Sequence, residues 1–223
     1  MGYLPDLGFV IGPKNFYLQV YLIILALYIL VYALTWIFIG PPDLGLDVFA
    51  SQYGLELPMP ANQMIAVITF SMLFFSPIIN LLPSLSEELG WRGFLLQELL
   101  PLGQKKALII SGIIWGLWHL PFVLLIGFGY GEHSLLGVPL FLALIAVLGV
   151  WFGYLKIISG SVWLPSFAHA VFNAHAYGVW IMIWPDINPL IGGKVGIIAL
   201  VIYSILALIV LDKVKKQKDI NNI

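Results

Sequence analysis

Ser84-Leu85-Ser86-Glu87-Glu88-Leu89-Gly90-Trp91-Arg92-Gly93 is the stretch on which the reading of this chain turns. It sets two carboxylates and a guanidinium within six positions, between flanks almost free of charge. Of the 223 residues, 61% are hydrophobic and 9% are charged, against about 25% charged in soluble globular domains. Mean hydropathy is +1.01. The chain therefore reads as an integral membrane protein, in which a charged side chain is costly to bury and points to function by default. Formal net charge is -1 and no basic patch stands out, which argues against a nucleic-acid partner. The absence of cysteine excludes disulfides, thiolate metal sites and a cysteine nucleophile.

Working outward from the stretch, Pro83 is expected to open a helix that runs through Leu99 and Leu100 and stops at Pro101 and Gly103. Upstream lie two apolar runs, Phe16 to Gly40 and Ala61 to Leu82, the second with an expected kink at Pro77. About 25 apolar residues suffice for one span, at ~1.5 Å per residue across a core of ~30 Å. The acidic segment Pro41 to Pro60 between them reads as a loop. Downstream, Ala107 to Gly127 carries His119, Leu140 to Leu155 is uncharged, Trp163 to Trp184 carries His169, Asn173 and His175, and Val195 to Leu211 is the last span. The expected fold is an all-α polytopic bundle of about six or seven membrane helices around a polar intramembrane cavity. It is a single transmembrane domain, 1–223, with a catalytic core near 76–184. No internal repeat, low-complexity segment or soluble domain is detected.

Lys105, Lys106, Lys156 and the tail lysines Lys213, Lys215, Lys216 and Lys218 fall on one side if the last spans alternate, with Glu132 and Lys194 on the other. The excess of lysine on the first side predicts a cell-membrane protein with a cytoplasmic C-terminus. The first fourteen residues lack the basic segment and short apolar core of a cleaved signal peptide.

On a helix, Glu88 and Arg92 share a face and can pair, whereas Glu87 points about 100° away. Ser84-x-x-Glu87 also matches a capping box, an alternative that accounts for Glu87 and leaves Glu88 and Arg92 unexplained. His119 lies deep in an uncharged run, where an unpaired imidazole is costly, so it is either a satisfied core group or part of a site. His169 and Asn173 are four apart on one face, a spacing equally suited to hydrogen bonds between helices. His175 projects away from that face, and it and the loop residue His133 are read as non-catalytic. A carboxylate, two imidazoles and a carboxamide on three helices are most simply satisfied by one another in one cavity. Such a set can hydrolyse: a desolvated carboxylate takes a proton from water, an imidazole relays it, and amide or imidazole donors hold an oxyanion. With Glu88 held ionised by Arg92, Glu87 is the candidate base.

The combination Glu87-Glu88-x-x-x-Arg92-Gly93, Trp115-x-x-x-His119 and His169-x-x-x-Asn173 resembles the CPBP family of intramembrane proteases, also called Abi. That family includes CAAX prenyl proteases and bacteriocin-processing enzymes. The resemblance covers roughly Ser76 to Tyr177. It implies a glutamate-dependent intramembrane endopeptidase in which Glu87 and His119 activate water, His169 and Asn173 hold the oxyanion, and Glu88 and Arg92 support the site. Zinc on Glu87, His119 and His169 is the weaker alternative. A cofactor-free site is favoured, because Asn173 is a poor zinc ligand and a carboxylate with oxyanion donors suffices. Where the family usually has Phe this chain has Trp115, a change expected to affect packing more than chemistry. The chain also has fewer spans than the prenyl protease branch. The implied partner is a membrane-associated protein or peptide, lipidated or not, within the lipid bilayer. Two other readings use the same residues: a proton-coupled transporter or ion path, disfavoured by the missing repeat, and a non-catalytic immunity or binding scaffold. Oligomeric state is not indicated.

Overall fold

The computed structural model describes residues 7–220, with side chains to residue 214, and every regular element among them is helical. Met1 to Asp6 and the side chains of Lys215, Lys216 and Lys218 lie outside the described residues. Five helical stretches are long and apolar enough to cross a membrane: α1 (Lys14–Phe38), α2 (Ala61–Leu102), α3 (Gln104–Ile126), α4 (Gly131–Ser159), and the Ile197–Val214 part of the last helix. Between α4 and that last helix lies α5 (Trp163–Ala176), and the last helix, α6, runs Ile197–Ile220. With 14 residues, α5 is too short for a span of its own and is instead packed among its neighbours along most of its length. Thus one of the expected spans is a short interior helix.

The largest departure from expectation is α2. Pro83 opens no new helix; the apolar run and the charged stretch form one continuous element of 42 residues. At ~1.5 Å per residue its length is about twice the ~30 Å apolar core. Its prolines are absorbed rather than obeyed. Pro77 lacks the N–H that would bond the Leu73 carbonyl. Just before it, Ser71–Phe75 widens into π-helix, and the Tyr21 hydroxyl of α1 donates to the freed Leu73 oxygen at 3.0 Å. A second π segment, Leu89–Leu95, contains Arg92 and Gly93. Single-turn π segments often accompany functional sites.

Helices α3 and α4 are held at close quarters by facing small-residue repeats, Gly112-x-x-x-Gly116 and Gly149-x-x-x-Gly153. A Cβ on Gly112 would come within 2.4 Å of the Ala146 carbonyl oxygen, and one on Gly149 within 2.6 Å of the Gly112 Cα. Without side chains in the way the two backbones touch, as in many membrane helix pairs. The main core then forms between α1, α3, α4, α5 and α6 around Tyr28, Phe152 and Tyr203. A smaller cluster of Leu46, Met72, Val179, Met182 and Ile183 seats the acidic α1–α2 loop.

Candidate active site

The polar residues of α2 fall into two environments. Glu88 and Arg92 have side chains 0% exposed and form an ion pair, with Arg92 Nη1 donating to Glu88 Oε1 at 2.8 Å. The guanidinium also donates from Nη2 to the Gly149 carbonyl at 3.4 Å, through the gap left by the glycine repeat. Its carbon lies 4.4 Å from the Trp115 ring centroid and 5.4 Å from that of Phe152. Such a cation over aromatic faces is stabilised where water is excluded. The same Glu88 oxygen accepts from His169 Nδ1 at 3.0 Å. Glu88 therefore carries the two roles of countering Arg92 and orienting an imidazole, the second of which helical spacing did not foretell. With Nδ1 committed, Nε2 is the free ring nitrogen of His169.

His119 sits at a break in α3. The helix is regular over Gln104–Trp118 and resumes at Leu120–Ile126, because Pro121 cannot continue the hydrogen-bond ladder. The His119 amide bonds Gly116 at 3.0 Å instead of the Trp115 carbonyl one residue earlier. The Trp115 oxygen is taken by His119 Nδ1 at 2.8 Å. A carbonyl only accepts, so Nδ1 bears a proton and the neutral ring carries its lone pair on Nε2. A helix break has thus selected the tautomer of His119.

Glu87 is partly buried, and its Oε2 accepts from Trp115 Nε1 at 3.2 Å. The capping-box alternative fails: Ser84 lies inside a helix that began far upstream, and its buried hydroxyl has no hydrogen-bond partner among the described residues. Trp115 also makes a polar contact in addition to its packing. Its indole N–H makes a bond to Glu87 that a phenylalanine has no donor to make.

Glu87, His119, His169 and Asn173 all line one cavity of about 490 Å³, walled by aromatic rings that include Trp118, Phe141 and Phe172. The Asn173 carboxamide is uncommitted among the described residues. Glu87 and Trp118 also border a more open recess of about 450 Å³ between Trp91, Phe94 and Leu95. His175 is excluded from the cavity, its ring tilted 30° against that of Tyr28 at 4.9 Å and accepting from Trp180 Nε1 at 3.3 Å. His133 lies on an exposed turn beside Glu132. Two further polar cavity residues escaped the sequence reading: Tyr177, and Lys194, which was read only for the side of the membrane it marks. The Gly192-Gly193-Lys194-Val195-Gly196 sequence around Lys194 was the available signal, since glycines let a turn tuck close to a core.

The donor set does not suit the zinc alternative. Among the described residues no three of His, Asp and Glu converge as metal ligands, so Glu87, His119 and His169 share a cavity without forming a coordination set.

Comparison with known proteins agrees with the motif pattern. The family model described as Type II CAAX prenyl endopeptidase Rce1-like matches residues 65–175, which hold the charged stretch, His119, His169 and Asn173. No curated protein and no solved structure matches the chain.

Proposed function

We propose a mechanism for a chain that, through residues 65–175, belongs to the Rce1-like type II CAAX prenyl endopeptidase family and is therefore a membrane peptidase. Glu87 takes a proton from a water molecule in the cavity, assisted by the Nε2 lone pair of His119. The resulting hydroxide attacks the peptide carbonyl. The developing oxyanion is held by the Asn173 amide and by His169, which donates from Nε2 in its protonated form with the Glu88 carboxylate as counterion. As the C–N bond breaks, the proton held by Glu87 or His119 passes to the leaving amine, and the new carboxyl product completes the balance. Arg92 holds Glu88 in place from the dry side.

The observation that carries this reading is the convergence of Glu87, His119, His169 and Asn173 on one cavity while Glu88 and Arg92 are sealed behind it. The open recess beside Glu87 supports a membrane-associated substrate, lipidated or unlipidated, that enters from the side. The catalytic core spans about 76–184 of a single transmembrane domain whose C-terminus is cytoplasmic. The test is cleavage of lipidated and unlipidated membrane peptides by purified wild type, Glu87→Ala and His119→Ala. Turnover by wild type alone is expected. Equal turnover by all three removes both residues from the mechanism, and proton flux into vesicles that is lost with the same substitutions establishes transport instead.

A further inference from the structure

We propose that the cavity opens to the extracytoplasmic side, so that the bond cut belongs to the outer juxtamembrane segment of a membrane-anchored or exported peptide; this rests on the peptidase reading above. Packing sorts the helix ends into two groups. At one end, the Leu7 carbonyl just before α1 accepts from Lys156 Nζ of α4 at 3.0 Å, and the Gly8 carbonyl accepts from the Val162 amide at 2.8 Å. Leu7 also lies against Gly93, in the last part of α2. At the opposite end, just past α1, the Gly40 carbonyl accepts from Trp184 Nε1 at 3.1 Å, and the Gly193 amide donates to Thr35 Oγ1 at 3.2 Å. There the Tyr130 hydroxyl of the α3–α4 loop donates to the Val195 carbonyl, just before α6, at 2.7 Å. The first end therefore gathers the start of α1, the junction of α2 with α3, and the ends of α4 and α6.

The two ends differ in charge. Among the described residues the first carries Lys14, Lys105, Lys106, Lys156 and Lys213 with Glu98 and Asp212, whereas the second carries Asp43, Asp47, Glu56, Glu132 and Asp186 with Lys194 as its only lysine or arginine. Lysine collects on the cytoplasmic side of membrane proteins, which makes the acidic end the outer one. The cavity lies toward that end. Along α3, His119 is about 20 Å from Lys106 but only about 10 Å from Ile126, at ~1.5 Å per residue. Asn173 falls in the last turn of α5, and the contribution of α4 stops at Leu148, about two turns short of Lys156. Phe128 and Gly129 of the α3–α4 loop complete the wall from the acidic end. Toward the lysine end the way is shut by the fully buried Glu88–Arg92 pair and by the touching backbones at Gly112 and Gly149. The lateral recess runs from Glu87 the other way, past Phe94 and Leu95, and is almost wholly apolar. A peptide with its membrane anchor against that recess thus brings its outer flank, not its cytoplasmic one, into the cavity.

The chain has no cysteine, so single introduced cysteines report the side of access directly. The variants are Gln104→Cys at the exposed lysine end, His133→Cys at the exposed acidic end, and Asn173→Cys and Ile181→Cys in the cavity wall. Ile181→Cys, at the rim, covers the case in which substitution of Asn173 disturbs the fold. Each full-length variant is treated with a small membrane-impermeant methanethiosulfonate, in intact cells and in inverted membrane vesicles. In intact cells His133→Cys and the cavity cysteines are expected to react while Gln104→Cys does not, and in inverted vesicles the pattern should reverse. Cavity cysteines that react only from the side that labels Gln104→Cys, or not from the side that labels His133→Cys, overturn the proposal. So does a reaction of His133→Cys from the cytoplasmic side alone. Two single-span reporters then carry the same test segment either outside or inside the membrane. Wild type should cut the outer-segment reporter and Glu87→Gln neither. Glu87-dependent cutting of the inner-segment reporter, alone or equally with the outer, overturns the choice of side and leaves the peptidase reading standing. Cavity cysteines that react from outside, with no cleavage by wild type of either reporter or of the membrane peptides above, uphold the outward cavity and overturn the peptidase reading.

Discussion

Glu87 and Glu88 are adjacent in sequence, yet one faces a cavity and the other is enclosed on every side. Glu88 is out of contact with solvent, with Arg92 and His169 both on its Oε1. Glu87 is only partly buried, takes a single bond from Trp115, and borders both the cavity and the open recess. A rotation of about 100° between neighbouring helix positions is enough to separate them. The difference teaches that identical neighbouring side chains can be divided between an enclosed ion pair and a cavity wall by position alone. The enclosed ion pair ties Glu88 to Arg92, and the proposed mechanism assigns the proton transfer to the cavity-facing Glu87.

The division breaks most visibly through substitution of the cavity-facing member. Glu87→Gln retains an oxygen that can accept from Trp115 but loses the base. Its kcat should fall by about 10⁴, the upper range for general-base removal, while thermal unfolding in detergent stays close to wild type. If Glu87→Gln melts early and keeps its activity, the two glutamates have been assigned the wrong way round.

The enclosed member is tested through its partner. Arg92→Leu leaves the Glu88 carboxylate in a dry site without its guanidinium, which should cost about 3–5 kcal/mol of stability, as breaking buried pairs commonly does. The double variant Glu88→Gln, Arg92→Leu removes both charges and should recover much of that loss in denaturant unfolding. Equal stability of the single and double variants would mean that Glu88 is not held as a carboxylate by Arg92.

The membrane class, the spacing of the three motifs and their convergence were legible in the sequence because helical periodicity fixes which residues share a face. What it concealed were contacts made by departures from ideal helix. Pro83 reads as a helix start, but the α-helical Ser76–Glu88 part of α2 runs straight through it. Pro121 does break its helix, and the break, not the spacing, sets the His119 tautomer. The His169 bond to Glu88 spans 81 positions and joins two helices, which no local pattern encodes. Lys194 was read only for the side of the membrane it marks; that a glycine-rich turn brings it into the cavity wall is a long-range contact that counting lysines in loops does not reveal.

Trp115 is the side chain that touches both environments, and it gives the smallest and sharpest test. Its ring covers the Arg92 guanidinium at 4.4 Å on the enclosed side, while its indole N–H crosses to Glu87 at 3.2 Å on the cavity side. Trp115→Phe keeps an aromatic face over the cation and deletes the donor. Loss of one such bond should lower kcat/KM by about tenfold or less, with little change in unfolding. In the Glu87→Gln background the same substitution should have almost no further effect on residual turnover, because the carboxylate that the bond positions is already gone. Were the two effects to add, Trp115 would act by packing against Arg92, and the indole contact would not be what connects the enclosed pair to the working carboxylate.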